Sequence, residues 1–328
     1  MPNKFHTICM VATLSLCTLS SYANGEQFTD YLTQLQQQAL DNGVSKPLLE
    51  NHFSKIKRFH RAGPSNEPTT TNPKDLETYL PLAVPESMVQ QARALYKIHL
   101  DELTEIGQRY QVQPRFIVAL WGINSQFGQQ SSSLPALSVL ATRAYNASAS
   151  SSIEQQVFDG FNAIAKFDLP YNQLQSNSEG LLGATGFTTT QLLQYGQDGN
   201  QDGRVDIWQS DADVFASLAY FLQQQGWKEA ETWGRQVKAP TDIDTDKTGL
   251  ANLASFDEWQ QLGVRRFDGS DLPKRNDMQI SLIMPDGTTG RHYLVYDNYR
   301  ALLKWHNDDY FALAVAYLSE RIKYPAIK

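Results

Sequence analysis

Two segments carry residue types at spacings that bear on chemistry. The first is Asp198-Gly199-Asn200-Gln201-Asp202-Gly203-Arg204-Val205-Asp206. It sets oxygen-bearing side chains at the first, third, fifth and ninth places, with glycine at the sixth. This is the donor rhythm of an EF-hand loop, in which Arg204, at the seventh place, contributes a main-chain carbonyl. Hard oxygens in a flexible loop suit calcium, in a structural role, because nothing in the loop leaves a coordination position open. The twelfth place is Gln209, not the bidentate glutamate of an ordinary loop. The competing reading is an Asx turn whose carboxylates cap the following helix. The second segment is Trp121-Gly122-Ile123-Asn124-Ser125-Gln126-Phe127-Gly128. Its polar residue, Asn124, follows a fully apolar run and is expected to face a cleft, yet an amide serves poorly as a general acid or base.

The elements that must position these segments are mostly helical. Pro114 and Arg115 open the apolar stretch Phe116 to Trp121, which predicts a buried helix ending near Gly122 or Gly128. Val89, Ala92, Tyr96, Leu100, Leu103, Ile106 and Tyr110 recur at three- and four-residue intervals and predict one amphipathic helix leading into it. Phe28 to Ile56 reads as short helices broken by Gly43, and Ala62 to Pro73 as an exposed loop. Ala147 to Ser152 is a small polar linker before another helix. Val214 to Gln225 is helical and stops at Gly226, and a last apolar helix spans Tyr310 to Ile322. Near 256–297 the pattern changes: Ile280 to Met284 and His292 to Tyr296 flank Pro285-Asp286-Gly287, which predicts a β-hairpin.

The chain has 328 residues, a formal net charge of −7 and two cysteines. Lys4, the apolar run Ile8 to Leu19 and Ser21-Tyr22-Ala23 form a secretory signal peptide over residues 1–23, leaving a mature chain of 24–328. Cys9 and Cys17 both fall inside it, so the mature chain needs no disulfide. Leu16 before Cys17 argues against a lipoprotein, and a periplasmic protein is expected. Acidic and basic residues are mixed along the chain, which argues against nucleic acid as a partner. No later stretch is long and apolar enough for a transmembrane span.

The Trp121–Gly128 run resembles the signature of B-type lytic murein transglycosylases, the membrane-bound lytic transglycosylase B family. In that family a glutamate stands where this chain has Asn124, and it is the sole acid and base. It protonates the bond between N-acetylmuramic acid and N-acetylglucosamine, then helps close a 1,6-anhydro ring. Asp206-Ile207-Trp208, Ala216 to Ala219, Gly226-Trp227, Trp233-Gly234 and Tyr310 to Val315 match the family's framework. The resemblance implies a mainly α (α+β) fold: a lysozyme-like transglycosylase core with a helical lobe, a calcium loop near 198–213 and a small β insertion near 256–297. It also implies that the metal loop closes on an aspartate opening the next helix, here Asp213. The metal set is then Asp198, Asn200, Asp202, Arg204 and Asp213.

The departures from the family concentrate at its saccharide positions. The substrate-lining run reads Gly180 to Phe187 here, including Thr185, and is followed by Thr188-Thr189-Thr190. A tyrosine hydroxyl is lost at Phe221, and a late Tyr-Asn pair becomes Trp305-His306. Each lost hydrogen bond removes a net contribution of about 0.5–1.5 kcal/mol. Phe187, Phe221 and Trp305 remain as rings able to stack on sugars or receive a peptide, and His306 as a group titrating near neutrality. The expectation is a catalytically inactive relative that binds peptidoglycan glycan strands or a cell-wall protein. Two alternatives stay open: an active transglycosylase whose acid comes from elsewhere, with Glu179 and Asp159 as candidates, and a protein-interaction module without glycan affinity.

Overall fold

The computed structural model describes residues 17–59, 74–130, 132–147, 150–275 and 277–323. Most of the expected leader and the whole of the expected loop at 62–73 lie outside these residues. The helices are α1 (Cys17–Asp41), α2 (Lys46–His52), α3 (Leu76–Ala83), α4 (Glu86–Ile98), α5 (Leu100–Tyr110), α6 (Pro114–Ser125), α7 (Ala136–Asn146), α8 (Ser151–Lys166), α9 (Thr189–Tyr195), α10 (Asp211–Gln224), α11 (Phe256–Gln261), α12 (Asp297–His306) and α13 (Asp309–Lys323). Two short strands, β1 (Leu134–Pro135) and β2 (Gln175–Ser176), pair antiparallel within the helical body. A four-stranded antiparallel sheet has the order β4-β3-β6-β5, from β3 (Gly234–Lys238), β4 (Arg265–Arg266), β5 (Ser281–Ile283) and β6 (His292–Val295). Among the described residues no helix is long and apolar enough to cross a membrane.

Pro114 begins α6, where its missing N–H costs nothing, and every residue from Phe116 to Gly122 is buried. A helix apolar on all sides belongs at the centre, and α6 packs there against α13, α4 and α10. The amphipathic run expected as one helix is two. It breaks at His99, whose ring lies edge-on to Phe215 at 5.2 Å and between Glu102 and Asp211. The break rotates Leu100 outward to 43% exposure, so it does not belong to the buried stripe.

The expected hairpin forms as β5 and β6, with Leu282 opposite Leu294, but it joins a larger sheet whose β3 begins at Gly234. All four residues of β6 are buried because the strand separates two cores. Tyr293 and Val295 face the main helical core, while Leu294 and Tyr296 face a second core with Phe256, Trp259 and Ile280. The hairpin is tied to the helical body at its turn: Asp286 accepts from Leu76 N of α3 at 2.9 Å and from the Tyr310 hydroxyl, and Arg291 pairs with Glu77 through two nitrogens. Leu294→Ala should therefore empty the second core and cost about 2–5 kcal/mol, read as a fall in the midpoint of chemical denaturation. A loss below about 1 kcal/mol would show that this core contributes little.

Candidate functional site

Asn124 sits in the last turn of α6, where the backbone makes an unusual exit. Gln126, Phe127 and Gly128 follow with φ of 52°, 57° and 76°, three successive left-handed residues. For the two that are not glycine this costs roughly 1–2 kcal/mol each. Packing offsets the cost: Phe127 folds back edge-on to Trp121 at 5.5 Å and ends 7% exposed. Gly122 makes this possible, since a Cβ there would lie 2.6 Å from the Phe127 ring. Ser125 Oγ accepts from Gly128 N at 3.1 Å and lies 2.6 Å from the Ala184 carbonyl, to which it donates. The end of α6 is thereby fastened to the loop at 180–187.

That loop closes over Asn124. Leu182 N donates to Phe187 O at 2.7 Å, and Thr185 Oγ1 accepts from Phe187 N at 3.2 Å, which curls 182–187 into a tight turn. Gly186 adopts φ +64°, and a Cβ on it would lie 2.4 Å from Asn124 Nδ2. Only glycine leaves room for the amide there. Asn124 Nδ2 donates to the Thr185 carbonyl at 2.6 Å, and Asn124 Oδ1 accepts from Trp305 Nε1 at 2.9 Å. A carbonyl only accepts and an indole only donates, so the two partners fix which way the amide points. The group they ask for is neutral, with one donor and one acceptor. A protonated carboxylic acid meets that description and a carboxylate does not.

The rings around this amide face one another. Trp305 lies 5.5 Å from Phe187 and 4.8 Å from Phe221, and Tyr195 lies 5.1 Å from Phe221. Phe187, Phe221 and Trp305 are 0%, 2% and 6% exposed. The three rings expected to stack on sugars or receive a peptide are packed against one another, Trp305 tilted to Phe187 and edge-on to Phe221. Thr185 is buried with them, whereas Gly180 packs on Leu140 of α7. His306 stands on the outer side, edge-on to Phe311 at 4.7 Å, and packing lowers its pKa below the usual histidine value, away from neutrality. Tyr195 was not singled out from the sequence. Nothing near it in the chain marks it, since its partners come from α10 and the 180–187 loop.

Neither of the two carboxylates considered as substitutes is hydrogen-bonded to Asn124. Asp159 accepts from Thr190 Oγ1 and from Gln155 Nε2 at 2.9 Å, joining α8 to the start of α9. Glu179 is held through its backbone carbonyl, which accepts from Arg143 Nη1. Among the described residues no carboxylate is hydrogen-bonded to Asn124.

The acidic loop lies between α9 and α10. Asp198 accepts from Asp202 N and Gly203 N, Asn200 Oδ1 from Asp202 N, and Asp202 from Arg204 N. Asp213, 1% exposed in the first turn of α10, accepts from Gly199 N at 2.9 Å and Asp206 N at 2.6 Å. It thus ties both ends of the loop to the helix. Burial raises its pKa even though those N–H groups pull the other way, so its negative charge is under-compensated. The donor chemistry fits a hard cation, and Asp213 is the group that would benefit. The side chains are not drawn together around one point, however: among the described residues no three acidic, histidine or cysteine side chains converge as a metal cluster.

Asn124→Asp should keep the bond from Trp305 but set an oxygen against the Thr185 carbonyl. The new acid should then have a raised pKa in the folded state. Protons bind the folded form more tightly in that case, so the stability deficit against the unaltered protein should be about 1–3 kcal/mol at pH 7. It should shrink as pH falls toward 4. A deficit that is flat with pH would contradict this reading of the amide.

The family model of the transglycosylase SLT domain matches residues 27–320. Membrane-bound lytic murein transglycosylase B of Escherichia coli (strain K12) is 23% identical over 312 residues, covering 91% of this chain and 82% of its own. The crystal structure of SltB3 from Pseudomonas aeruginosa in complex with NAG-anhNAM-pentapeptide superposes with a TM-score of 0.81 at 30% identity, over 90% of this chain and 79% of that one. The Escherichia coli lytic transglycosylase Slt35 in complex with calcium has the same fold, with a TM-score of 0.71 at 18% identity over 89% of this chain and 92% of its own. With the matched region running from before α2 to near the end of α13, the chain belongs to the transglycosylase SLT domain family, as a homologue of the lytic murein transglycosylases with asparagine at position 124.

Proposed function

We propose that this chain is a periplasmic, catalytically inactive member of the lytic transglycosylase family, retained to bind the cell wall or to regulate proteins that act on it. Family membership and fold are the same for active and inactive members, so neither separates the two. The observation that carries the reading is the Asn124 amide, committed on both sides to Thr185 and Trp305 and covered by the Phe187–Phe221–Trp305 cluster. Cleavage by a single acid and base needs a group that gives a proton in one step and recovers it in the next, a contribution of about 10²–10⁴-fold from general acid–base catalysis. An amide does neither, and its surroundings favour a group that stays neutral. SltB3 has been crystallised with NAG-NAM-pentapeptide and with NAG-anhNAM-pentapeptide, which makes peptidoglycan fragments the first ligands to consider for this chain.

We also propose calcium as a structural ion of the 198–213 loop, with Asp198, Asn200, Asp202, Asp206 and Asp213 supplying side-chain oxygens and Arg204 a main-chain carbonyl. Binding would supply the positive charge that the buried Asp213 lacks, and would require the loop carboxylates to turn inward from the backbone N–H groups they now accept.

Incubating purified peptidoglycan with the protein should give no 1,6-anhydromuropeptides by mass spectrometry. Such products from the unaltered protein would overturn the inactive reading. Asn124→Glu should also stay silent, because the added carboxylate meets the Thr185 carbonyl and the closed 182–187 turn. Calcium added to chelator-treated protein, at a hundredfold above its dissociation constant, should raise the melting temperature by about 5 °C. Asp213→Asn should abolish most of that rise, and an unchanged melting curve in the unaltered protein would remove calcium from the account.

A further inference from the structure

The turn that follows β4 presents an aromatic ring to solvent. Phe267 is 57% exposed, and no other phenylalanine or tryptophan among the described residues is exposed. Backbone bonds fix its place: Gly269 N donates to Arg266 O at 2.8 Å and Arg266 N to Ser270 O at 3.0 Å, with Gly269 in the left-handed region at φ +87°. Val264 and Leu272, on either side of the turn, are buried in the second core. The ring is therefore held at the tip of an anchored turn, where it forgoes the burial that a phenylalanine ordinarily contributes.

Cations flank the ring. Lys238 Nζ lies over it, 5.4 Å from the centroid. In the β3–β4 pair Lys238 stands directly opposite Arg265, and Arg266 stands opposite Val237. Like charges directly opposite one another in a sheet are destabilising, and Asp271, 3.6 Å from Arg265, offsets one side of that pair. Lys238 and Arg266 are exposed, and neither makes a salt bridge among the described residues. Asp268, beside the ring, is turned back onto Ser270, accepting from its N at 2.9 Å and its Oγ at 2.6 Å. Over 262–275 the basic residues Arg265, Arg266, Lys274 and Arg275 outnumber the acidic Asp268 and Asp271, in a chain whose net charge is −7.

We propose that this turn docks on the surface of a bilayer containing anionic phospholipid, with the Phe267 ring entering the boundary between headgroups and acyl chains and with Lys238 and Arg266 meeting lipid phosphates. The combination selects this occupant. A soluble anion needs donors converging from several sides, and a turn tip supplies them from one. The ring gains only from a partner with an apolar layer, and the unpaired cations only from one whose surface is negative. The Lys238 stem lies along the ring while its ammonium stays at the level of the phosphates. One ring and two unpaired cations hold more weakly than a single myristoyl chain, whose binding constant is about 10⁴ M⁻¹, so the attachment is reversible. The turn rests on the second core and Asn124 on the end of α6, so this inference does not depend on the loss of glycan cleavage.

Flotation of the mature protein with vesicles of equal parts phosphatidylglycerol and phosphatidylcholine tests the assignment against vesicles of phosphatidylcholine alone. The anionic vesicles should carry the protein, with a binding constant below that of a myristoyl anchor, and the neutral ones should carry about tenfold less or lower. Phe267→Ser should reduce the anionic binding about tenfold or more. Lys238→Gln and Arg266→Gln should each reduce it about fivefold and flatten its dependence on salt. Phe267→Trp should keep the affinity, and its added emission should be quenched by brominated lipid. All three side chains are exposed, so these variants should melt as the unaltered protein does. Failure to bind anionic vesicles, equal binding to both kinds, or full binding by Phe267→Ser would each overturn the proposal. So would binding of soluble polyphosphate that Phe267→Ser leaves intact, which would mark an ordinary anion site, or a dimer in sedimentation that Phe267→Ser dissolves while no vesicle is bound, which would give the face to a second copy of this chain.

Discussion

The site is organised by one requirement: the group at position 124 must donate to the Thr185 carbonyl and accept from the Trp305 indole at the same time. In a half-buried setting each of those contacts is costly to leave unmade. The asparagine amide answers both with no change of charge at any ordinary pH. It is close in shape and hydrogen bonding to a carboxylic acid that holds its proton permanently. On the proposed reading, position 124 thus keeps the hydrogen-bonding pattern of an acid that never gives up its proton.

The neighbouring substitutions are consistent with that constraint. Trp305 brings the donor that matches Asn124 Oδ1 and also packs on Phe187 and Phe221. Rings that turn their faces to one another gain apolar burial and edge-to-face contacts, roughly 0.5–1.5 kcal/mol for each pair beyond the area term. Gly186, by contrast, serves the amide through its missing side chain, since any Cβ there would collide with Nδ2. The chemistry of the site and the packing above it therefore change together.

Framework and site follow different rules in this molecule. α6 is held at the centre by apolar contacts on every side, and the buried Asp213 and Ser125 tie the loops on either flank to helices. The sheet is joined to the helical body by side chains at the hairpin turn, Asp286 and Arg291, while β6 itself serves two cores at once. None of these contacts depends on what stands at position 124. The fold they build is the one shared with SltB3.

The helices were largely legible in the sequence because apolar periodicity and helix-ending residues act locally: Pro114, Gly43, Gly226 and the run to Ile322 each mark a boundary found in the structure. The β5–β6 hairpin was legible for the same reason. The break at His99 was not, because the stripe continues through it and only Phe215 and Asp211, far along the chain, hold the ring in place. β3 was missed since a strand between two others needs no alternation of its own. At the site, residue type and spacing singled out Asn124 and the acidic loop, and the resemblance to the family drew attention to positions 185, 187, 221 and 305. It did not disclose that Trp305 binds Asn124 across 181 positions, or that the three rings close on each other instead of facing a ligand. Residue type sets what a side chain can donate, accept or bury; which partner it meets is decided by the packing of helices distant in sequence, and that is tertiary.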